Sequence, residues 1–537
     1  MHWRVDAGAQ TIVLTCDGDV PAVIYWGARL PDCEDLAQLS ASLRHDLTGG
    51  MIDVLPALTL TPESGRAFPG QPGLVVAEAD GTPLHPVFRF HRGEQTGTSL
   101  ILSSLAQGLT LTHHITAQPT GVLTLQTVLE ADRDLRLHWL AAPVLLAPQA
   151  AETMIDLHGR WVREFHLNPV PWTPGIRARE ARTGRSGHEH PPYLILPEFG
   201  CTNTQGTAFA LHYAWSGGHR MLAEELPDGR RQVQFGAATG AQTGPARRFA
   251  SAELVAIHST TGLNGIAAAF QRDTRDRVVS WPDPARPRPV HYNCWEAIYF
   301  NHTLSDLSDI ATRAADLGAE RFVLDDGWFG RRDDDTTSLG DWTIDRRKWP
   351  DGLGPLIVNP DSDLHRAHPD WVLGPADQVT GRHQLVLDLA RGDVRDYLFD
   401  AVSAILTEYD IDYVKWDHNR LLPIVDAAQT HGAYALLDRL RAAHPGLEIE
   451  SCASGGGRID AGILARTHRV WLSDCIDAHE RLRMQHDAAL FLPSCVTGSH
   501  VGARDSHTTG RALPMAFRAW VAAQRHFGFE MDPRTIS

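Results

Sequence analysis

The chain is poor in lysine and in long apolar runs, and each shortage excludes a class of partner. Only two of its 49 basic residues are lysines, and its 65 acidic residues give a net charge of −16. So acidic a chain is poorly suited to nucleic acid or to anionic membrane surfaces, and we expect neither as a partner. The most apolar stretch, residues 139–151, is shorter than a membrane span and contains two prolines. We therefore expect no transmembrane helix.

Motifs of metal, nucleotide and serine enzymes are missing as well. The 28 histidines and seven cysteines form no HExxH or CxxC pattern, and no GxSxG occurs. The glycine run at 455–457 fits neither GxxxxGK[ST] nor GxGxxG. We expect no metal and no cofactor. The odd number of cysteines, and an N-terminus without a basic and an apolar segment, predict reduced thiols and a cytoplasmic location.

At 537 residues the chain is long enough for more than one domain, and its first half has the pattern of β-strands. Apolar and polar residues alternate over residues 109–112, 123–129 and 209–215, and Gly and Pro turns separate these stretches. This pattern predicts an antiparallel β-sandwich over residues 1–280. Four prolines within residues 281–290 predict an inter-domain linker.

The pattern changes after residue 290, where short apolar strands alternate with amphipathic helices. Apolar residues recur at helical spacing from Leu307 to Leu317 and from Val394 to Ile405, and the second run leads into a strand that ends at Trp416. Alternating strands and helices predict a parallel sheet over residues 291–537, either open or closed into a barrel.

Polar and aromatic residues collect where these strands stop. They are Trp295, Asp325, Asp326, Lys415, Asp417, Cys452 and Asp474. In a (β/α)8 barrel such positions share one rim, which is where enzymes of this fold hold their sites. Any one of them alone is more often a helix cap, a loop residue or a core residue. Together they predict a sugar site, because carboxylates accept hydrogen bonds from hydroxyls and Trp covers the apolar face of a ring.

Several motifs are more specific than this pattern. They are NCWEA at 293–297, LDDGWFGRRDDD at 324–335, GRHQLVLDLAR at 381–391, VKWDHNR at 414–420, SCASGGGRID at 451–460 and WLSDCID at 471–477. With these motifs the chain resembles glycoside hydrolase family 36, the α-galactosidases, over nearly its whole length. The resemblance implies an N-terminal β-sandwich, a (β/α)8-type barrel and a homo-oligomer.

The resemblance also implies a retaining exo-glycosidase that releases terminal α-D-galactosyl residues from melibiose- or raffinose-type oligosaccharides. Asp417 of the KWDxNR motif would be the nucleophile, and Asp474 of the WxSD motif would be the general acid/base. Asp477, three residues on, is the rival for that second role; we prefer Asp474 because it directly follows the strand. A retaining pair should lie about 5–5.5 Å apart.

The remaining site residues follow from the same resemblance. Asp325 and Asp326 would bind the axial O4 and the O6 of galactose, and Trp295 would flank the ring. Lys415 would donate to ring hydroxyls beside the nucleophile, which agrees with its retention in a lysine-poor chain, since a compact ammonium is not interchangeable with a guanidinium. The rest of the pocket wall would be formed by Arg382, Cys452 and Gly455.

Two departures from the family pattern stand out. Residues 352–357 run directly into Val358, so we expect one β/α unit, corresponding to the third barrel strand, to be absent. We expect the same of the C-terminal β-domain of the family. Residues 385–389 are an alternative third strand. Two other functions therefore stay open beside hydrolysis: an α-galactosyl transglycosylase, and an inactive sugar-binding remnant whose barrel has lost a strand.

Overall fold

The computed structural model describes residues 1–43, 55–341, 343–349 and 361–536, and its contacts divide the chain into two compact units. The first unit comprises Met1–Leu157, Leu167–Arg182 and His190–Arg277; the second comprises His158–His166, Thr183–Glu189 and Val278–Ser537. Two short stretches of the first half thus belong to the second unit, which the sequence patterns did not indicate. The domain boundaries at 280 and 290 stay predictions.

The first unit is built from antiparallel strands. Its strands are β1 (His2–Ala7), β2 (Gln10–Thr15), β3 (Ala22–Ala28), β4 (Leu74–Glu78), β5 (Pro83–Leu84), β6 (Arg89–Thr96), β7 (Ser99–Ala106), β8 (Leu109–Ala117), β9 (Leu123–Leu140), β10 (Leu145–Leu146), β11 (Thr153–Arg160), β12 (Arg163–Pro171), β13 (Gly175–Ala181), β14 (Tyr193–Pro197), β15 (Ala208–Tyr213), β16 (His219–Glu225), β17 (Arg231–Ala237), β18 (Ala246–Ala250) and β19 (Leu254–Ser259), with helices α1 (Leu36–Ser42) and α2 (Gly262–Asp273).

These strands form sheets of three, four and twelve strands in the described ranges. Along β8, buried residues alternate with half-buried ones at every position, as expected for a strand with one face on the core. One core cluster joins Trp139 of β9, in the largest sheet, to Leu222 of β16, in the four-stranded sheet. Antiparallel sheets that share a core in this way form the predicted β-sandwich.

The second unit alternates strands and helices. Its strands are β20 (His291–Asn293), β21 (Arg321–Val323), β22 (Tyr413–Trp416), β23 (Glu448–Ser451), β24 (Arg469–Trp471), β25 (Thr497–Gly502) and β26 (His526–Glu530), and its helices are α3 (Trp295–Ile298), α4 (Leu304–Asp316), α5 (Asp363–Ala367), α6 (Gly392–Glu408), α7 (Ala427–Ala443), α8 (Ala461–Leu464), α9 (Ala478–Ala488) and α10 (Met515–Ala522). None of the helices in the described ranges combines the length and apolar character needed to span a bilayer.

The helices bury the faces that their sequences mark as apolar. In α4 the Thr303 hydroxyl accepts from the backbone N–H of Asp306 at the start, and Gly318 with φ +87° follows the end. Ile310 of α4, Val394 of α6 and Leu437 of α7 share one core cluster with residues of the strands. This packing directs the carboxyl ends of the strands to one rim.

The strands of the second unit form one parallel sheet in the order β21-β20-β26-β25-β24-β23-β22. The first strand, β20, pairs with both the second and the last, as the first and last strands of a barrel do, and in the described residues the sheet stays open between β21 and β22. The predicted fold class, a β-sandwich followed by a (β/α)8-type barrel, is confirmed. Within the described residues, β21 and β22 are the two edges and have one partner each.

These edges lie where the sequence predicts an absent unit. The junction of residues 352–358 itself is outside the described residues. The alternative third strand at 385–389 is not part of the sheet, because Leu387 makes only an isolated antiparallel bridge with Val372. The described strands therefore correspond to an eight-stranded barrel without its third strand.

Candidate active site

A cavity of about 990 Å³ opens at the carboxyl ends of the barrel strands. Seven of the nine predicted site residues line it: Trp295, Asp325, Asp326, Arg382, Lys415, Asp417 and Asp474. They follow different strands that are far apart in sequence, and closure of the sheet brings them together. The arrangement is an acidic pocket with one buried ammonium and aromatic walls.

Asp325 and Lys415 form the central ion pair. Lys415 Nζ lies 2.7 Å from Asp325 Oδ2, which also accepts from the Asn293 amide at 2.7 Å. Burial would raise the pKa of Asp325, but Lys415 and the hydrogen bonds outweigh it and hold that pKa below its ordinary value. Asp325 follows β21 and Lys415 lies on β22, so the pair joins the two edge strands of the sheet.

Asp326, which directly follows Asp325, is held by the guanidinium of Arg332. Arg332, whose side chain is fully buried, donates from Nε at 3.0 Å and from Nη2 at 2.8 Å to the two oxygens of Asp326. Burial raises the pKa of Asp326, and Arg332 opposes that rise. Arg382 reaches the cavity with φ +51° and donates to Asp335 at 2.8 Å. The two carboxylates at this strand end therefore have separate cationic partners.

Asp417 is fixed by two hydrogen bonds. Its oxygens accept from the backbone N–H of His418 and from the Asn419 amide, both at 2.7 Å. The Asn419 carbonyl oxygen in turn accepts from the backbone N–H of Ser454 at 3.0 Å, which sets the orientation of the amide. Each oxygen of the Asp417 carboxylate thus has one donor, and the residue lines the cavity.

Asp474 and Asp477 have different surroundings. Asp474 lines the cavity, and its two oxygens accept from the indole N–H groups of Trp161 (2.8 Å) and Trp471 (3.1 Å). Burial raises the pKa of Asp474, and the Asp417 carboxylate raises it further. Asp477 instead caps α9 and pairs with Arg511 at 2.6 Å, away from the cavity lining. Asp474 therefore lies in the cavity wall, whereas Asp477 holds the start of α9.

Cys452 and Gly455 are not among the residues that line the cavity, and their predicted place in the pocket wall stays a prediction. The Cys452 side chain is buried beside Asp417, and burial followed by that carboxylate raises the pKa of its thiol. Gly455 has φ +73°, and a Cβ there would lie 2.7 Å from the backbone nitrogen of Asp474. Both residues support the wall from behind; Ser454, between them, reaches it.

Sequence reasoning missed a second layer of carboxylates. Glu296 and Glu530 line the cavity, and His507 Nδ1 lies 3.0 Å from Glu296. Arg469 can only donate, so His500 Nε2 accepts from it at 2.9 Å and the proton of His500 sits on Nδ1, 2.8 Å from Glu530. Burial, followed by Glu296, raises the pKa of Glu530 well above its usual range. Glu530 ends β26, so the strand-end rule would have found it.

Four other lining residues come from the two stretches of the first half that join the second unit: Trp161, Arg185, His188 and Glu189. Arg185 donates to the carbonyl oxygens of His418 (2.8 Å) and Ala453 (3.0 Å), and His188 Nε2 lies 2.7 Å from the Ser454 carbonyl. They hold the loops after β22 and β23. No strand-end pattern pointed to them.

The cavity also has an apolar side. Its lining includes Phe322 of β21, Val414 of β22, and Val402, Ile405 and Leu406 of α6. These residues belong to the two edge strands and to the helix that precedes β22. The pocket is therefore acidic at the strand ends and apolar along the sheet edges.

Each of the two lysines of the chain is held through its single Nζ atom. Lys348 Nζ lies 2.9 Å from the Gly327 carbonyl oxygen, 2.8 Å from that of Arg332 and 2.9 Å from Asp333. Lys415 pairs with Asp325, as described above. A planar guanidinium would not place one nitrogen at such a point.

Comparison with family models covers both units. The model for the glycosyl hydrolase family 36 N-terminal domain matches residues 19–241, and the Melibiase model matches residues 248–357 and 353–537. The Melibiase match is broken in two at residues 353–357, where the sequence predicts an absent β/α unit.

Individual relatives agree with the family models. The chain is 40% identical to an α-galactosidase of Escherichia coli, over 95% of this chain and 76% of that protein. It superposes with TM-score 0.93 and 29% identity on a variant of the GH36 α-galactosidase AgaA of Geobacillus stearothermophilus in complex with raffinose, over 100% of this chain and 84% of that chain. A second AgaA variant, in complex with stachyose, gives TM-score 0.92 and 28% identity over the same shares.

Proposed function

Because this chain belongs to glycoside hydrolase family 36, we propose that it is a retaining exo-α-galactosidase acting on melibiose- and raffinose-type oligosaccharides. The observation that carries the proposal is the pair Asp417 and Asp474 in the wall of one acidic cavity. Two carboxylates in different surroundings are what retaining hydrolysis requires, one ionised and one able to hold a proton. The relatives in complex with raffinose and stachyose support the substrate class.

In this proposal Asp417 attacks the anomeric carbon and forms a glycosyl ester, while Asp474 gives its proton to the departing oxygen. Asp474 then takes a proton from water, which hydrolyses the ester. Burial and the neighbouring Asp417 favour the protonated form of Asp474, since both raise its pKa. Burial opposes the charge of Lys415, but Asp325 and then other neighbours, Asp417 among them, raise the pKa of Lys415 well above its ordinary value, so a charged ammonium lies beside the proposed nucleophile.

We assign the galactose hydroxyls to the groups around the ion pair. Asp325 and Asp326 would accept from O4 and O6, Lys415 would donate to the ring hydroxyls, and Trp295 would cover the apolar face. Trp295 is itself held edge-on by Tyr299 and Phe300, with ring centroids 5.2 and 5.1 Å away. Arg382 would contribute at the rim.

A cytoplasmic location and a homo-oligomer are further parts of the proposal. The location is supported by the cysteines, since all seven are free thiols in the structure. The homo-oligomer is supported by the family resemblance alone.

The two edge strands of the described sheet, which carry Asp325 and Asp417 at their ends, favour a second candidate, a protein that binds galactosides without turning them over. Edge strands with one partner hold Asp325 and Asp417 less rigidly than a closed barrel would, and catalysis tolerates displacements of well under about 1 Å. Such a protein would bind galactose in calorimetry and release none from raffinose. A transglycosylase would instead make new oligosaccharides from raffinose and an added sugar acceptor.

The test is hydrolysis of an aryl α-galactoside and of melibiose by the full chain, followed by NMR. We expect α-galactose as the first anomer formed, and we expect Asp417→Asn to lower kcat by about 10⁴-fold, because an amide cannot form the ester. Asp410→Asn, an exposed aspartate before β22, is the matched control and should behave as wild type. β-Galactose as the first product, or full activity of Asp417→Asn, would overturn the proposal.

A further inference from the structure

The turn between β11 and β12 contacts the proposed acid/base from a distant part of the chain. Residues 158–166 belong to the second unit, and Trp161 lies at their turn with a half-exposed ring. Its indole N–H donates to Asp474 Oδ2 at 2.8 Å across a separation of 313 residues. Trp471, on β24 itself, donates to Oδ1 at 3.1 Å. Each oxygen of Asp474 therefore has one indole donor.

The same turn also holds the backbone on both sides of Asp474. The buried Glu164 side chain accepts from the Ser473 hydroxyl at 2.5 Å, and the Ser473 oxygen accepts from the backbone N–H of Cys475 at 3.0 Å. Glu164 Oε1 lies 3.3 Å from the backbone nitrogen of Val162. This segment therefore holds Asp474 in two ways. Trp161 holds its side chain, and Glu164 holds the backbone of the residues next to it.

We propose that Trp161 and Glu164 are positioning residues of the acid/base group: Trp161 orients the Asp474 carboxylate and stabilises its ionised form, and Glu164 holds the backbone that carries it. The inference rests on the proposed function, in which Asp474 gives and takes the proton. It explains why a segment of the first half is part of the second unit.

The electrostatics agree with the geometry. Burial is the main cause that raises the pKa of Asp474, and the Trp161 hydrogen bond lowers that pKa. The titratable and charged groups that act on Asp474 from all surrounding elements are Glu164, Glu296, Lys415, Asp417, Cys452, Arg481, His507 and Glu530. Replacing Trp161 by Phe keeps every one of these charged groups and removes the indole N–H together with part of the ring, a loss of ring area that the matched Trp520→Phe control also makes.

The main test is the pH profile of kcat/KM for Trp161→Phe. Asp474 must be protonated for the first step, so activity falls as pH rises through its pKa. Loss of the N–H raises the pKa of Asp474. The alkaline limb of the profile should therefore move to higher pH by about 0.5–1 unit, the shift that corresponds to one hydrogen bond. Trp520→Phe, an exposed tryptophan of α10, is the control and should leave the limb unchanged.

Glu164 is tested by a pair of variants. Glu164→Gln keeps an acceptor for Ser473 and should retain most of kcat, whereas Glu164→Ala should lower kcat about tenfold or more with little change in KM, because a displaced acid/base loses alignment. Glu408→Ala, at the exposed end of α6, is the control. Equal kcat for Glu164→Ala and wild type would overturn the role of Glu164.

A readout independent of turnover separates this inference from the proposed function. Carbon-13 NMR titration of Asp474 should give a higher pKa in Trp161→Phe than in wild type, whether or not the chain is active. If Asp474→Asn keeps full activity on melibiose, the proposed acid/base is wrong. If Asp474→Asn is inactive while the pKa and the limb stay unchanged in Trp161→Phe, only the positioning role of Trp161 is overturned.

Discussion

Asp474 follows a strand with neighbours on both sides, whereas Asp325 and Asp417 follow the two strands that have a single neighbour in the described part of the chain. The paired side has a continuous ladder from β23 to β26 and on to β20. Beneath it, Arg469 donates to His500 and His526 and pairs with Glu450. Sheet hydrogen bonds and a buried network hold this side.

The edge side is held by side chains instead. Asp325 has Lys415 and Asn293, Asp326 has the two donors of Arg332, and Asp417 has the Asn419 amide. The Lys415–Asp325 pair joins the two edge strands near their carboxyl ends, and the Arg321 guanidinium, 4.7 Å from the centre of the Tyr413 ring, joins them near their amino ends. The difference teaches that carboxylates after strands with a single described neighbour can be held in place when each has its own side-chain donors.

The largest effect that tests this comparison is expected on the paired side. Asp474→Asn should lower kcat/KM on melibiose by about 10²–10⁴-fold, because the leaving alcohol loses its general acid. On an aryl α-galactoside with a good leaving group the loss should be smaller, and added azide should yield α-galactosyl azide, measured by NMR.

Asp477→Asn is the matched control three residues away. Asn can still cap α9 but removes the charge that pairs with Arg511, so the variant should lose about 1–2 kcal/mol of stability and keep kcat near wild type. Melting temperature and kcat measure the two effects. The reverse outcome, loss of activity in Asp477→Asn alone, would exchange the two assignments.

An intermediate effect is expected on the edge side. Suppose that Asp325 and Lys415 form hydrogen bonds with the axial O4. The wild type should then prefer aryl α-galactoside over aryl α-glucoside by at least about 10²-fold in kcat/KM, because a sugar without the axial O4 leaves these buried groups unpaired. Asp325→Asn should reduce this ratio, and Asp410→Asn should not. Equal kcat/KM on both sugars in the wild type would contradict the assignment.

The smallest change is expected when β21 and β22 each receive the second strand neighbour that the strands of the paired side already have. A family-consensus β/α unit inserted between Ile357 and Val358, outside the described residues, should pair with β21 and β22. Satisfying even one buried backbone group is worth about 1–3 kcal/mol, so the melting temperature should rise by about 3 °C or more, with higher α-galactosidase activity. An unchanged melting temperature and activity would mean that the edge strands are already adequately supported.

The sequence predicted the fold and the rim well because both depend on local patterns. Asp417 and Asp474 each follow a short apolar strand, and barrel closure alone brings such ends together. Cys452 also follows a strand, but it points behind Asp417. The position of a residue at a strand end does not tell whether its side chain faces the cavity. The pattern therefore could not predict that Ser454 lines the cavity and Cys452 does not.

Contacts from distant segments could not be predicted in this way. Trp161 and Glu164 lie in a β-hairpin whose sequence fits the sandwich pattern, and their roles depend on contacts with Asp474 and Ser473 about 310 residues later. Periodicity reports which face of an element is buried, not which partner buries it. Glu530 differs from these two, because it ends β26 and its position follows the same strand-end pattern as Asp417 and Asp474.

The scarcity of lysine makes the chain a chemical probe of its own site. Lys348 and Lys415 are its only ε-amino groups, and both are engaged, with side-chain exposures of 13% and 15%. Among side chains, an amine-reactive reagent therefore reports on two places: one under the loop after β21 and one beside the proposed nucleophile. Galactose in the cavity should slow acylation of Lys415 and leave Lys348 unchanged, so peptide mass spectrometry of a labelled sample would measure sugar occupancy directly, with the second lysine as the internal standard.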